Sequence, residues 1–341
     1  MTTRFTPEDT HVLVTGSAGF IGFHLSRLLL EQGFSVTGYD AFTDYYDVSL
    51  KRARTDILGQ FKQFQQVEGL LEDFENLMRV AEENVPQVVV NLAAQAGVRY
   101  SLENPRAYVD ANLVGAFSVM EVARQFEVDH LMMASTSSVY GANDLMPFTE
   151  TERTDTQLTI YAATKKANES MAHSYSHLWK IPTTMFRFFT VYGPWGRPDM
   201  ALFKFVEAML EDKPIDIYNH GDMYRDFTYV SDLVRGIRLL MDCQPTGSKK
   251  AEIDSLSPAA PFRVVNIGNS EKVSINDFIE AIEDRLSISA IKNYLPAQLG
   301  DVPATWADNS LLQALTGFSP EVSYRDGIAK FVSWYREHYN K

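Results

Sequence analysis

Tyr161 and Lys165 are the pair of side chains whose type and spacing most clearly suggest chemistry, in the run Tyr-Ala-Ala-Thr-Lys. On a helix, a separation of four residues places both side chains on one face. A free tyrosine has a pKa of about 10 and is a poor base at neutral pH, but a neighbouring ammonium group favours the tyrosinate and lowers that pKa. The pair therefore predicts a tyrosine that acts as a general base. The alternative is an exposed tyrosine and lysine on a helix surface.

Thr136 adds a hydroxyl group to this pair. It follows an apolar run at residues 130–134, which is typical of a buried strand, and it lies in the sequence Ser-Thr-Ser-Ser. In doubly wound α/β folds, ligands bind at the carboxyl ends of the strands. We therefore expect the Thr136 hydroxyl to share a substrate oxygen with Tyr161.

A glycine-rich loop, Thr-Gly-Ser-Ala-Gly-Phe-Ile-Gly at residues 15–22, joins a predicted strand to a helical pattern. Such a loop presents the free N–H groups and the positive end of a helix to phosphate groups. Asp40 ends the next strand about twenty residues later, where a carboxylate binds an adenosine ribose and repels a 2′-phosphate. The spacing predicts a dinucleotide site that prefers NAD to NADP, and an ordinary glycine-rich turn is the alternative.

The elements around these residues alternate between strands and helices. Apolar runs at residues 35–39, 63–67, 88–94, 130–134 and 183–189 predict further strands, with helical patterns between them. This alternation predicts right-handed crossovers and an α/β fold built on a Rossmann-type doubly wound parallel sheet.

The pattern changes near residue 192, where Gly-Pro-Trp-Gly-Arg-Pro interrupts regular structure. Short elements follow in mixed order, among them a helix at residues 231–241 and a strand at 264–267. We expect residues 1–191 to form a dinucleotide-binding domain and residues 192–341 to form a smaller mixed α/β C-terminal lobe, with later segments crossing back. Residues 244–261 have little apolar content and predict an exposed insertion.

Composition excludes several classes of partner. The 341 residues carry a net charge of −13, which argues against nucleic acid and against an anionic membrane surface. No apolar run reaches the length of a membrane span, and no signal peptide precedes the first strand. The single cysteine, Cys243, cannot form an internal disulfide and favours a packing role over a nucleophilic one. We expect a cytoplasmic protein without a metal site.

The motifs together resemble those of the extended short-chain dehydrogenase/reductases, and among them the nucleotide-sugar epimerases. The resemblance covers nearly the whole chain: residues 15–22, 91–94, 136–141, 161–165, 188–194, 225–232 and 300–308 follow the order of that family. The run at residues 187–200, Arg-Phe-Phe-Thr-Val-Tyr-Gly-Pro-Trp-Gly-Arg-Pro-Asp-Met, is very similar to that of the UDP-glucuronate 4-epimerases.

The resemblance implies a reversible oxidation at carbon 4 of a UDP-sugar. Tyr161 takes the proton of the 4-hydroxyl, Thr136 holds the reacting oxygen, and Lys165 binds the nicotinamide ribose and tunes Tyr161. The 4-keto sugar rotates in the site, so that hydride returns to its opposite face and NAD is regenerated. The resemblance implies NAD contacts from Gly16, Gly19, Phe20, Ile21, Gly22, Asp40, Leu71, Leu92, Ala93, Ala94, Gln95, Asn112, Tyr161, Lys165 and Phe188. Asn112 could equally be a polar residue on a helix face.

The substrate contacts that the resemblance implies begin at Arg197, which would bind the glucuronate carboxylate through its planar guanidinium. The other expected contacts with the UDP-sugar come from Thr136, Ser137, Thr190, Arg225, Asp301 and Arg99. Clamping the carboxylate has a chemical reason, because the 4-keto intermediate is a β-keto acid that loses carbon dioxide easily when the carboxylate stands perpendicular to the ketone. No carboxylate follows Thr136 before Val-Tyr-Gly, and the decarboxylases and dehydratases of the family have one there.

Three positions differ from the UDP-galactose 4-epimerase pattern: Thr190 replaces an asparagine, Gln298 an arginine, and Leu70 the usual adenine-binding aspartate. The first two changes leave one fewer cation on the diphosphate and reshape the sugar pocket, which argues against UDP-galactose as the substrate. The alternative to UDP-glucuronate is a 4-epimerase of UDP-glucose or a UDP-hexosamine. A UDP-glucuronate decarboxylase and a non-catalytic NAD-binding scaffold are less favoured. Family resemblance also implies a homodimer, formed through a four-helix bundle of the helices at residues 105–126 and 161–179.

Overall fold

A computed structural model describes residues 4–341, and its centre is a seven-stranded sheet in which all neighbouring strands are parallel. The strands are β1 (His11–Thr15), β2 (Ser35–Asp40), β3 (Phe64–Glu68), β4 (Val88–Asn91), β5 (His130–Thr136), β6 (Thr183–Phe188) and β11 (Phe262–Ile267), in the order β11-β6-β5-β4-β1-β2-β3. The central strands β4 and β5 are buried throughout, as continuous apolar runs in a covered parallel sheet require. The predicted doubly wound sheet is confirmed.

Helices cover both faces of this sheet. They are α1 (Phe20–Glu31), α2 (Val48–Leu58), α3 (Phe74–Asn84), α4 (Tyr100–Glu103), α5 (Pro105–Val109), α6 (Gly115–Gln125), α7 (Ile160–Trp179), α9 (Val230–Met241) and α11 (Ser310–Thr316). Because neighbouring residues of a strand point to opposite faces, Val88 and Val90 pack in the core that contains α1, α9 and α11. Val89 packs in the core that contains α3, α6 and α7.

The smaller lobe has a separate core. It contains α8 (Ala201–Leu210), α10 (Ile275–Leu286) and α12 (Tyr324–Tyr339) together with the strands β7 (Thr190–Tyr192), β8 (Ile215–Ile217), β9 (Tyr224–Arg225), β10 (Phe227–Tyr229), β12 (Val273–Ser274), β13 (Lys292–Tyr294) and β14 (Ala304–Thr305). In this core, Phe227 stacks on Phe278 with 3.8 Å between ring centroids. The stacked pair joins β10 to α10.

Two elements that follow residue 192 lie with the large sheet and not with the smaller lobe. β11 is the seventh strand, paired with β6, and α9 packs against α1. Residues 231–241 and 264–267 are thus later segments that lie against the large sheet; which segments return is decided by pairing between distant parts of the chain, which local periodicity does not reveal. The boundary at residue 191 stays a prediction.

Two other local expectations need correction. The helix expected at residues 105–126 is a succession of α5, a π-helical turn at Asp110–Val114, and α6. The insertion at residues 244–261 is anchored, because Asp254 is buried and pairs with the Arg263 guanidinium at 2.8 Å. A buried arginine in β11 needs such a counter-charge.

Within residues 4–341, no helix is long and apolar enough to cross a membrane. The same residues contain no group of three histidine, cysteine, aspartate or glutamate side chains that could hold a metal ion.

Candidate active site

A cavity of about 490 Å³ opens at the carboxyl ends of β1, β4 and β5. Its walls come from the glycine-rich loop, the segment after β2, the end of β4, the start of α7 and the loop before α8. Among the predicted residues, the cavity is lined by Gly16, Gly19, Phe20, Ile21, Gly22, Asp40, Leu71, Leu92, Ala93, Ala94, Gln95, Thr136, Tyr161, Lys165, Phe188 and Arg197. The strand order therefore brings together residues that are far apart in the sequence.

The glycine-rich loop leaves the first N–H groups of α1 available to a ligand. Gly19 caps the helix without a side chain, and the first N–H of α1 that bonds back to the loop is that of Phe23, which donates to the Gly19 carbonyl at 3.0 Å. A Cβ atom on Gly22 would lie 2.0 Å from the Gly16 carbonyl oxygen, so only glycine allows this close turn. The N-terminus of α1 is thus built to bind an anion.

Asp40 lies at the edge of the same loop. One of its carboxylate oxygens accepts the Ala18 N–H at 3.1 Å, and the other accepts the Phe42 N–H at 2.9 Å. These bonds fix the carboxylate on the cavity wall, where it can accept hydrogen bonds from a ribose and repel a phosphate.

Asn112 lies behind the cavity wall and does not line it. Its side-chain oxygen accepts the Gln95 N–H at 2.8 Å, and its amide donates to the Gln95 carbonyl at 3.0 Å and to Thr164 Oγ1 at 3.2 Å. With these bonds, the side chain holds the Gln95 backbone, which does line the cavity. Direct contact with a cofactor is not supported by this position, and Asn112 instead supports the wall through the π-helical turn that carries it.

Tyr161 and Lys165 lie on the first two turns of α7, which Thr159 caps by accepting the Ala162 N–H. Lys165 Nζ donates to the Ala134 carbonyl at 3.0 Å, and burial lowers the pKa of Lys165 to about 8. Burial raises the pKa of the Tyr161 phenol, while Thr136 and the positive charge of Arg197 lower it.

The lowered Tyr161 pKa expected from Lys165 is therefore not found in this structure. Burial has the largest effect on the Tyr161 pKa, and the opposing influences come from Thr136 and Arg197. The Tyr161 ring also meets the Tyr108 ring nearly edge to face, with 6.0 Å between centroids. Tyr161 is half-buried on the cavity wall, so its phenol is partly withdrawn from water and a nearby positive charge acts on it through less solvent.

Thr136 is the last residue of β5 and faces this phenol from the sheet. Its hydroxyl oxygen accepts the Ser138 N–H at 3.2 Å and donates to Ser138 Oγ at 3.3 Å. Ser137 begins the short 3-10 turn that follows, is half-buried, and is not part of the cavity wall. The backbone turn therefore fixes the Thr136 hydroxyl at the site but leaves Ser137 beside it.

Arg197 lies in the loop before α8 and forms a two-bond ion pair with Asp199, at 3.0 and 2.5 Å. The Tyr45 hydroxyl donates to the same carboxylate at 3.1 Å, so this pair is joined to the segment after β2. Asp199 occupies Nε and one N–H of the terminal Nη2, which leaves three N–H donors of the guanidinium for a ligand. Thr190 and Arg197 also line a small adjoining cavity of about 30 Å³.

Arg99, Arg225 and Asp301 form a second cluster outside the main cavity. Arg99 pairs with Asp301 at 3.2 Å, and its guanidinium lies 4.4 Å from the centre of the Tyr218 ring. Arg225 donates to the Tyr224 carbonyl at 2.8 Å. The structure thus brings these three predicted residues together in the smaller lobe, as a group separate from Tyr161.

Several residues at the site are missed by sequence reasoning, namely Tyr45, Tyr108, Asp199 and the arginine Arg54, described below. Asp199 stands two residues after Arg197 in the same loop, and this short spacing is the signal that could have identified the pair. The remaining three contact the site only through the tertiary fold.

Comparison with known proteins gives consistent matches over the whole chain. Residues 12–254 match the NAD dependent epimerase/dehydratase family. A probable UDP-glucuronate 4-epimerase of Rhizobium meliloti is 54% identical over 96% of this chain and 98% of its own. UDP-glucuronate 4-epimerase 4 of Arabidopsis thaliana is 43% identical over 96% of this chain and 76% of its own. One similar solved structure is that of a UDP-glucuronic acid 4-epimerase from Bacillus cereus in complex with UDP-glucuronic acid and NAD. It superimposes on this chain with a TM-score of 0.86 at 34% sequence identity, and the match covers 96% of this chain and 100% of that one.

Proposed function

Because this chain belongs to the NAD-dependent epimerase/dehydratase family, we propose that it interconverts UDP-glucuronate and UDP-galacturonate through a 4-keto sugar. One observation carries the proposal: a single cavity brings Tyr161 and Thr136 together with Arg197, beside an anion-binding helix N-terminus. A proton acceptor, a hydroxyl donor and a carboxylate-binding cation are the groups that this reaction requires.

The residues of the cleft fit NAD. The uncapped N-terminus of α1 suits the pyrophosphate, and the fixed Asp40 carboxylate suits an adenosine ribose without a 2′-phosphate. Lys165 and the residues that follow β4 line the same cavity as Tyr161. When bound, NAD supplies the hydride acceptor and the positive nicotinamide charge. At the adenine end, Leu70 offers no carboxylate and is half exposed, so this contact is apolar.

Tyr161 accepts the proton of the 4-hydroxyl group and returns it when the opposite face of the sugar is reduced. Thr136 fixes the reacting oxygen by sharing a hydrogen bond, and Lys165 orients the ribose hydroxyls. Because the phenol is half-buried on the cavity wall, its protonation responds to the charges beside it, and Arg197 is one of them.

Arg197 binds the sugar carboxylate with the donors that Asp199 leaves free, and Thr190, which lines the small adjoining cavity with Arg197, and Ser137 are assigned as supporting contacts. Holding the carboxylate in place protects the β-keto acid from decarboxylation. The segment after Thr136 contains Ser137 and Ser138 but no carboxylate, which supports simple epimerisation over decarboxylation or dehydration. Arg225, Asp301 and Arg99 are assigned to the uridine diphosphate part of the substrate.

A homodimer and a cytoplasmic location complete the proposal. The outer faces of α6 and α7 expose the large apolar residues Phe117, Leu178 and Trp179, as helices that pair with a second copy would. A single cysteine is consistent with a reducing compartment.

The decisive experiment incubates purified protein with UDP-glucuronate and follows the formation of UDP-galacturonate by NMR. We expect interconversion of the two sugars in both directions, and loss of it in Tyr161→Phe. Arg197→Ala should weaken binding of UDP-glucuronate but leave binding of UDP-glucose nearly unchanged, with the exposed Arg153→Ala as a matched control. No product in the presence of added NAD would exclude this function, and faster turnover of a neutral UDP-sugar would favour the alternative epimerase.

A further inference from the structure

Arg54, on α2, is completely buried and links segments that belong to different parts of the site. One end of its guanidinium, Nη1, donates to the Ala18 carbonyl at 2.9 Å and to the Tyr46 hydroxyl at 2.8 Å. The other, Nη2, donates to the Trp195 carbonyl at 2.6 Å and to the Gly196 carbonyl at 3.2 Å. One side chain therefore holds the glycine-rich loop and the loop that carries Arg197.

All four of these acceptors are neutral. Other buried arginines of residues 4–341 pair directly with carboxylates: Arg187 with Glu169 and Arg263 with Asp254. Arg54 has no such ion pair among the described residues, and its Nε has no hydrogen-bond partner. Burial lowers the pKa of Arg54, and Asp40 is the carboxylate that opposes this effect from a distance. A buried positive charge with neutral neighbours is stabilised when an anion binds nearby.

The carbonyl groups that accept hydrogen bonds from Arg54 lie next to the two sites expected to bind anions, the N-terminus of α1 and Arg197. Ala18 immediately precedes the uncapped start of α1, and Trp195 and Gly196 immediately precede Arg197. His24, on α1, holds the neighbouring Pro194 carbonyl at 2.9 Å, so the cofactor-side helices contact this loop twice. Tyr46 follows Tyr45, whose hydroxyl binds Asp199. A change at either loop is thus transmitted through the fixed fork of one guanidinium.

We propose that Arg54 is a positioning residue that couples the cofactor-phosphate loop to the Arg197 loop, so that the dinucleotide and the acidic UDP-sugar bind cooperatively. The assignment of the two ligands rests on the proposed function. Arg54 aligns the free N–H groups of α1 for the pyrophosphate, and the same hydrogen bonds hold Arg197 where it meets the sugar carboxylate. By thermodynamic reciprocity, each ligand strengthens the binding of the other by the same factor.

The test compares purified holoenzyme of wild type, Arg54→Lys and Arg52→Lys. Lysine keeps the charge but cannot span both loops, and Arg52 is a matched control on the same helix with an exposed ion pair to Glu68. The rate of NAD loss into buffer is measured alone, with UDP-glucuronate and with UDP-glucose. In wild type and Arg52→Lys, we expect UDP-glucuronate to slow NAD loss by about fivefold or more, the usual scale of coupling between sites.

In Arg54→Lys, we expect NAD loss to be roughly tenfold faster than in wild type, because charged hydrogen bonds to both loops are lost. The protective factor, which is the rate of NAD loss without UDP-glucuronate divided by the rate with it, should fall towards one. Faster NAD loss with an unchanged protective factor would overturn the coupling and leave Arg54 as a local support. If wild type forms no UDP-galacturonate but UDP-glucose slows NAD loss in an Arg54-dependent way, the proposed function fails and the coupling stands.

A second measurement covers the case in which Arg54→Lys does not fold. In wild-type holoenzyme, hydrogen exchange is followed at residues 16–23 and 193–200 while UDP-glucuronate is added. Coupling predicts that exchange slows at both segments together. Slower exchange at residues 193–200 alone would contradict it.

Discussion

Glu169→Gln tests whether a buried ion pair under the active site fixes the helix that carries Tyr161. Glu169 lies on α7, two turns after Tyr161, and accepts two hydrogen bonds from Arg187, each of 2.9 Å. Its Oε1 also accepts the hydroxyl of Ser135, the residue before Thr136, at 2.7 Å. Both partners of the ion pair are only 3% exposed, so water cannot replace either.

The expected cost follows from this burial. Glutamine keeps the size of the side chain but leaves the Arg187 charge buried without a counter-charge and sets an amide donor against guanidinium donors. Breaking such a pair costs about 3–5 kcal/mol of unfolding free energy. An equivalent change in the exposed pair of Arg79 and Glu83, Glu83→Gln, should cost less than about 1 kcal/mol.

The pH dependence has a defined sign. Burial raises the pKa of Glu169, but the hydrogen bonds and charge of Arg187 outweigh it, so the pKa in the folded protein is lowered. The pair therefore contributes full stability above the unfolded value of about 4.3 and loses it as pH falls through the lower folded value. The difference in unfolding free energy between wild type and Glu169→Gln should therefore shrink as pH falls below about 4.3 and through the folded-state pKa.

Urea unfolding followed by fluorescence measures this difference at neutral pH. We expect the midpoint of Glu169→Gln to fall by roughly 1 M with an unchanged slope. In the folded fraction, turnover should also fall, because Glu169 holds α7, which carries Tyr161, against β6 through Arg187 and against β5 through Ser135, the residue before Thr136. A loss below 1 kcal/mol, equal to that of Glu83→Gln, would refute the claim that the pair is a dry structural anchor.

Three further outcomes follow from individual contacts. Gly22→Ala should lose NAD, measured as cofactor content after purification, because its Cβ would lie 2.0 Å from the Gly16 carbonyl oxygen. Lys165→Met should be inactive. Its free energy of unfolding in urea at pH 7 should exceed that of wild type by on the order of 3 kcal/mol, because the pKa of Lys165 is about 8 in the folded protein and higher in the unfolded chain. This difference in unfolding free energy should shrink as pH rises above 8. Asp254→Asn should destabilise the protein by about 3 kcal/mol at neutral pH, measured by urea unfolding, because it leaves the Arg263 charge unpaired in the core.

Much of the fold could be predicted because its signals are local. The buried strands, the glycine-rich turn and the four-residue spacing of Tyr161 and Lys165 depend on neighbours in the sequence. Most of the predicted site residues line one cavity at the sheet edge, but Asn112 and Ser137 do not. The partner of Lys165 could not be predicted, because Ala134 approaches it through the packing of α7 on β5.

Non-local contacts explain what could not be predicted in detail. The seventh strand, Phe262–Ile267, is separated from its partner β6 by most of the smaller lobe, so its pattern of residues gives no indication of the sheet it joins. Arg54 has an ordinary place on an amphipathic helix, and its importance depends on carbonyl groups of residues 18, 195 and 196, which any sequence could supply. The type of a side chain indicates its chemistry. A hydrogen bond to a backbone carbonyl cannot be predicted in this way, because every residue has such a group.

The charges of the site are nearly balanced although the whole chain is strongly acidic, and this difference has a physical consequence. The chain carries a net charge of −13, whereas the cavity is lined by three cations and three carboxylates, Lys51, Lys165, Arg197, Asp40, Glu72 and Asp110, and the buried Arg54 lies behind it. Exposed acidic groups act through water and are screened by salt within about 10 Å, whereas buried cations act through a low dielectric on whatever enters the cavity. The field that a bound dinucleotide and nucleotide sugar experience is therefore set by the charged side chains in and behind the cavity and not by the net charge, so an acidic protein can hold two anionic ligands side by side.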